Sequence, residues 1–211
     1  MTQHTDHPLE RMVFFSDAVF AIAITLLVIE IHVPEIPRTA ADGAYWQALA
    51  HLMPHLVGYL ISFSVIGAFW MGHHRAFALA SRYSPRVLGW NLALLGTIAF
   101  MPFLTAFMSE YAGARVPASL YWGWMVLTAF LNLRVNTLAT GEEMRAPTTT
   151  DDDARSIRAR GLGTICASCC ALLLAQLVPF YAPLAMGTIP LWRRMFFRLL
   201  RRPAAVARTA P

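Results

Sequence analysis

Five stretches of this chain, about 13–32, 48–71, 87–108, 117–139 and 157–178, are each long and apolar enough to cross a lipid bilayer. A helix needs about 20 residues to span the hydrocarbon core, and within it every backbone polar group must be satisfied internally. Repetition of that length predicts an all-α integral membrane protein. Composition agrees: 57% of the 211 residues are hydrophobic and 14% are charged, outside the range of an ordinary soluble domain. A sixth stretch, about 180–192, is short and interrupted by Pro183 and Pro190, and reads as a kinked or partial span.

The net charge of +5 comes from arginine without any lysine. The arginines sit between apolar runs, as topology markers do, and a nucleic-acid partner gains no support. Segment 72–86 carries Arg75, Arg82 and Arg86; segment 140–160 carries Arg145, Arg155, Arg158 and Arg160; the tail carries Arg193, Arg194, Arg198, Arg201, Arg202 and Arg208. Alternate loops hold only Arg38 and Arg115. Six spans with both termini in the cytoplasm satisfy the positive-inside rule at every loop. Residues 1–205 are accordingly expected to form one six-span domain, and 206–211 a disordered tail. Asp6 and Glu10 precede the first run, which reads as a retained helix rather than a cleaved signal. Segment 141–154 is expected to be a flexible linker whose Asp151, Asp152 and Asp153 cap the fifth helix.

The first run, RMVFFSDAVFAIAITLLVIEI from Arg11 to Ile31, separates two faces when wound at about 100° per residue. With Ile22 at zero, Leu26, Ile29 and Thr25 fall within about 60°, and Phe15 and Arg11 lie on the same side. Ser16 and Asp17 lie well away, Asp17 about 140° round. An uncharged stripe thus runs from Phe15 to Ile29, beside a separate polar spot. Buried carboxylates and guanidinia in a span are costly and need partners. Trp70, His73 and His74 end the second span and Trp90 and Asn91 begin the third, at the same membrane level. Ser16 and Asp17 are expected to tie three helices together by accepting from an indole, an imidazole and an amide. Small residues Ala18, Ala21 and Ala23 allow close helix approach.

Arg11, Phe15, Ser16 and Asp17, in the pattern Arg-x-x-x-Phe-Ser-Asp at the head of a first span, resemble the signature of the transmembrane protein 175 potassium channel family. FSDAVFAIAITLLVIEI resembles its bacterial members almost throughout, as do Trp70 with His73 and His74, and NLALLGTIAFMPFLTAF from Asn91. The second half is similar only in hydropathy and length. The resemblance implies a homotetramer of six-span subunits in a bacterial cell membrane, with first helices lining a pore. It places the constriction on Ile22, Leu26 and Ile29, with Thr25 adjoining. Rings of branched aliphatic side chains can gate by dewetting, and each ring requires a symmetric assembly. No carbonyl filter of the Thr-Val-Gly-Tyr-Gly kind is present, so ion preference is expected to be modest.

Rival readings remain. Asp17 or Glu30 could serve a proton-coupled transporter, and Glu30, with Glu35 beyond it, could draw cations to the outer mouth. Adjacent His73 and His74 lie about 100° apart, unlike an i, i+4 metal pair. Cys166, Cys169 and Cys170 sit inside an apolar run and read as small packing residues. Gly161-Leu-Gly163 lacks the strand–turn–helix setting of a nucleotide site. No metal or cofactor is expected; potassium would be the permeant species. An enzyme would need a nucleophile and base, and the sequence offers no such constellation. The arginines from 193 to 202 are expected to meet the cytoplasmic surface and its anionic lipid.

Overall fold

A computed structural model describes residues 7–200, which fold into seven α-helices and one 3-10 segment. The helices are α1 (His7–Ile29), α2 (Asp42–His51), α3 (Met53–Ala78), α4 (Pro85–Glu110), α5 (Arg115–Ala139), α6 (Asp151–Leu177) and α7 (Ile189–Leu199). The 3-10 segment, Pro179–Thr188, joins α6 to α7. Among the described residues there is no strand, only an isolated bridge between Ala80 and Arg145. The expectations placed on Asp6, Arg201, Arg202, Arg208 and the tail 206–211 lie outside the described residues.

Five helices, α1, α3, α4, α5 and α6, are long and apolar enough to cross a membrane. The expected second span, 48–71, is corrected at both ends: the chain breaks at Leu52, and α3 runs on to Ala78. Pro54 supplies the reason, because its ring has no N–H and clashes with the carbonyl four residues back, so it must open a helix rather than continue one. Pro102, by contrast, sits inside α4 without ending it. The sixth stretch is not a single span. Prolines at 179 and 183 hold the 3-10 segment and Pro190 starts α7; together the two cover about 35 Å of axial rise.

α1 packs on α3 and α4 at one edge, and α4 leads through α5 to α6. The 3-10 segment and α7 return along α6, where glycine permits contact: a Cβ on Gly163 would lie 3.1 Å from the Arg193 nitrogen and 3.3 Å from the Ile189 carbonyl. Arg155 sits over the Phe197 ring at 5.6 Å, so α7 runs antiparallel to α6. One end of the bundle collects the arginine-rich loops. There Ser81 donates to the Met144 carbonyl at 2.8 Å and Ala146 to that of Leu79 at 2.8 Å. The expected flexible linker at 141–154 is therefore corrected: Met144 is fully buried, and the Thr149 hydroxyl donates to the Leu79 carbonyl at 2.9 Å. Thr150, not the aspartates, is the N-cap of α6. Its hydroxyl accepts from the Asp153 N–H, and the Asp153 carboxylate accepts from the Thr150 N–H in return.

Candidate functional site

The residues singled out on α1 divide by what covers them. Met12, Ser16, Phe20, Ala23 and Leu27 recur every three to four positions and are buried against α3 and α4. Ile22, Leu26 and Ile29 lie on the other side and stay exposed within the subunit, at 57%, 39% and 67%. Thr25 adjoins them, also exposed. Its hydroxyl donates back to the Ile22 carbonyl at 2.8 Å, which engages its one proton within the helix. From Ile22 to Ile29 the stripe is two turns, roughly 10 Å, of apolar surface.

The polar spot faces inward. Trp70 Nε1 donates to Asp17 Oδ1 at 2.8 Å, and Asn91 Nδ2 donates to Ser16 Oγ at 2.8 Å. Ser16 Oγ in turn donates to the Met12 carbonyl at 2.8 Å. The Asn91 amide faces Ser16, so its oxygen accepts from His73 Nε2 at 2.9 Å. Aromatic rings hold that imidazole, with Phe20 at 5.6 Å and Phe77 at 4.4 Å between centroids. Ser16, Asp17, Trp70, His73 and Asn91 thus join α1, α3 and α4. The histidine bonds to Asn91 rather than to α1 itself. His74 lies against Trp70, ring centroids 5.6 Å apart, and Trp90 lies under the Arg134 guanidinium at 5.4 Å.

Arg11 and Phe15 are not brought into this contact. They stand about 120° and 160° round the helix from Asp17, on the exposed side, and Arg11 makes no ion pair among the described residues. Glu30 lies just past the end of α1, and its backbone carbonyl accepts from His32 Nδ1 at 3.0 Å. Among the described residues no three His, Cys, Asp or Glu side chains are grouped to hold a metal, and Cys166, Cys169 and Cys170 are free.

Sequence reasoning missed a second polar tie. Thr105 Oγ1 donates to Ser62 Oγ at 2.7 Å, and Ser62 Oγ pairs with the Tyr121 hydroxyl at 2.9 Å, which links α3, α4 and α5 in a fully packed interior. The signal was a hydroxyl in each of three apolar runs, too common to single out.

The family model described as "Endosomal/lysosomal potassium channel TMEM175" matches residues 11–102. A potassium channel of Chamaesiphon minutus is 42% identical over 124 residues, covering 57% of this chain and 61% of that protein. One from Streptomyces collinus is 37% identical over 123 residues, covering 56% and 58%. The match thus spans about three fifths of the length of these two relatives. The human endosomal/lysosomal proton channel TMEM175 is 32% identical over 114 residues, 51% of this chain and 22% of that protein. Among solved structures, a variant of the potassium channel MtTMEM175 shares the fold, with a TM-score of 0.57 at 18% identity over 90% of both chains. The crystal structure of a lysosomal potassium-selective channel TMEM175 homolog from Chamaesiphon minutus superposes with a TM-score of 0.73 at 31% identity, over 91% of this chain and 97% of that one. Matched over nearly the whole of a solved member, with Arg11, Phe15, Ser16 and Asp17 heading its first span, this multi-pass membrane chain belongs to the TMEM175 family.

Proposed function

We propose that the chain is a potassium-permeable cation channel, a homotetramer in which α1 of each subunit lines the pore and Ile22, Leu26 and Ile29 form its neck. Relatives named as potassium channels support the ion. The observation that carries the reading is the position of α1. It is the most apolar span, it sits at the edge of the bundle, and it turns an uncovered aliphatic stripe away from its own subunit. Around a fourfold axis that stripe becomes stacked apolar rings, a neck that holds water poorly until it widens. Ser16 and Asp17 act as structure: they fix the rotation of α1, so the stripe faces the axis. Arg11 and Phe15, left uncovered, take partners from a neighbouring copy. The arginine-rich end faces the cytoplasm of a bacterial cell membrane, with both termini inside, and Glu30 lies at the outer mouth.

A proton-linked reading has one observation in its favour, the vertebrate relatives named as proton channels. Against a proton-coupled transporter, the Asp17 carboxylate is held by Trp70 and turned from the stripe. Asparagine at 17 keeps an oxygen for the indole, so Asp17→Asn leaves flux within about twofold of the parent. Loss of a pH-dependent flux in that variant, with tetramers intact, would install the transporter.

The deciding experiment is potassium efflux from liposomes and single-channel recording with asparagine at positions 19, 22, 26, 28 and 29 in turn. Ile22→Asn raises conductance most and weakens discrimination between potassium and sodium, because four amides hydrate the ring. Val28 is just as exposed but about 120° off the stripe, so Val28→Asn does little. Equal effects at 22 and 28 would place the pore elsewhere. Arg11→Ala lowers the tetramer fraction on size-exclusion chromatography without changing ion preference.

A further inference from the structure

Between α3 on one side and α6 with α7 on the other lies a cavity of about 880 Å³. Its two ends differ in chemistry. Towards the membrane interior its walls are mostly apolar, among them Val65, Phe69 and Met186, with the hydroxyls of Ser64 and Thr164 between them. About 16 Å further along α3, counted from Ser64, it is walled by Arg75, Arg160 and Arg193, one arginine from each of the three helices.

What sets these three arginines apart is that they meet in one cavity. At the same end of the bundle Arg145 finds Asp151 at 2.8 Å, Arg155 finds Asp152 at 2.8 Å, and Arg86 lies 3.8 Å from Glu143. Arg75, Arg160 and Arg193, like Arg82, Arg158, Arg194 and Arg198, make no ion pair among the described residues, and here Arg75 and Arg193 are near enough to repel Arg160. Among the described lining residues only Asp153 is acidic, and its carboxylate is engaged by Thr150. Three positive charges converging on a cavity with a single carboxylate cost free energy that an anion would recover.

We propose that this cavity binds one anionic phospholipid per subunit, its phosphate on Arg75, Arg160 and Arg193 and its acyl chain along the apolar end. The match is of charge and of shape: a phosphodiester suits bidentate guanidinium contacts, and an apolar lane leading from an arginine cluster into the bilayer suits an amphiphile better than a free anion. The face is uncovered within the subunit, since Ser64, Ala68, Met71 and Arg75 recur along one exposed side of α3. The lipid would rest on the same end of α3 that holds α1 through Trp70.

The test is native mass spectrometry of the full chain in mild detergent, titrated with phosphatidylglycerol, phosphatidylcholine or inorganic pyrophosphate. The wild type takes up phosphatidylglycerol at least tenfold more tightly than phosphatidylcholine, saturating at one per subunit. Arg75→Gln with Arg193→Gln weakens that binding at least tenfold. Arg194→Gln with Arg198→Gln removes the same charge from α7 outside the cavity and leaves it within twofold. Relief of repulsion means the cavity variant melts no lower than the wild type in lipid-free detergent; if it fails to fold, Arg160→Gln is read in its place. Equal uptake of the two lipids, or equal loss in both double variants, overturns the proposal. Pyrophosphate binding that depends on these arginines without phosphatidylglycerol binding makes the occupant a soluble anion. Tetramer loss in the cavity variant with lipid uptake unchanged makes it a neighbouring subunit.

Discussion

α1 and α5 are nearly the same length, 23 and 25 residues, and invert the usual relation between apolarity and burial. The most apolar window of α1 has a mean hydropathy of 2.5, yet only 28% of it is buried in the subunit. For α5 the figures are 1.2 and 50%. In water the greasier helix would be the inner one. In lipid, apolar association gives helices little reason to meet, and polar contacts, small residues and shape hold them together. So α5 hides Tyr121, Thr128, Asn132 and Asn136 in the interior, while α1 spends its apolar surface outward.

The contrast is sharpest within α1 itself, between Leu27 and Ile22. Leu27→Ala deletes a buried side chain and should destabilise the subunit by about 2–5 kcal/mol in denaturant titrations. Ile22→Ala should stay within about 0.5 kcal/mol while changing conductance. If both destabilise alike, α1 is covered on two sides and the contrast with α5 collapses. Next in size is Asn91→Leu, which strands His73 Nε2 in the interior and leaves Ser16 only its bond to the Met12 carbonyl; it should cost about 1–3 kcal/mol. Tyr121→Phe tests the interior of α5: loss of its bond to Ser62 should cost about 1 kcal/mol, read as a lower thermal midpoint. A null result there would mean that packing rather than hydroxyls holds α5. The smallest expected effect is Trp70→Phe. Its bond to Asp17 is exposed at the rim, so a loss of about 0.5 kcal/mol is expected, with the rotation of α1 still held by the buried bond from Asn91 to Ser16.

The five long spans and the two faces of α1 were legible because apolar length and helical periodicity are local. Ser16 and Asp17 could be paired with Trp70 and Asn91 because alternating spans put a helix end beside the next helix start. Two things were not legible. The Leu52 break went unseen because Pro54 lies in an apolar run, and Pro102 shows that proline inside such a run need not break it. The arginine-lined cavity joins residues 75, 160 and 193, whose meeting depends on α7 folding back along α6 at Gly163. Charge counts along the chain assigned those arginines to a side of the membrane and could not show which lacked counterions.

The stapling of residues 79–82 to 144–149 bears on how the protein can be handled. Four hydrogen bonds and the buried Met144 make that pair of loops one ordered plate. A reporter domain or affinity tag inserted between 141 and 149 should therefore disrupt the chain, however hydrophilic the stretch reads. Residues 31–41 are different: their recorded backbone bonds are local, Ile31 to Val28 at 3.2 Å and Ala40 to Pro37 at 2.9 Å, and Val33 is 89% exposed. Added sequence belongs there.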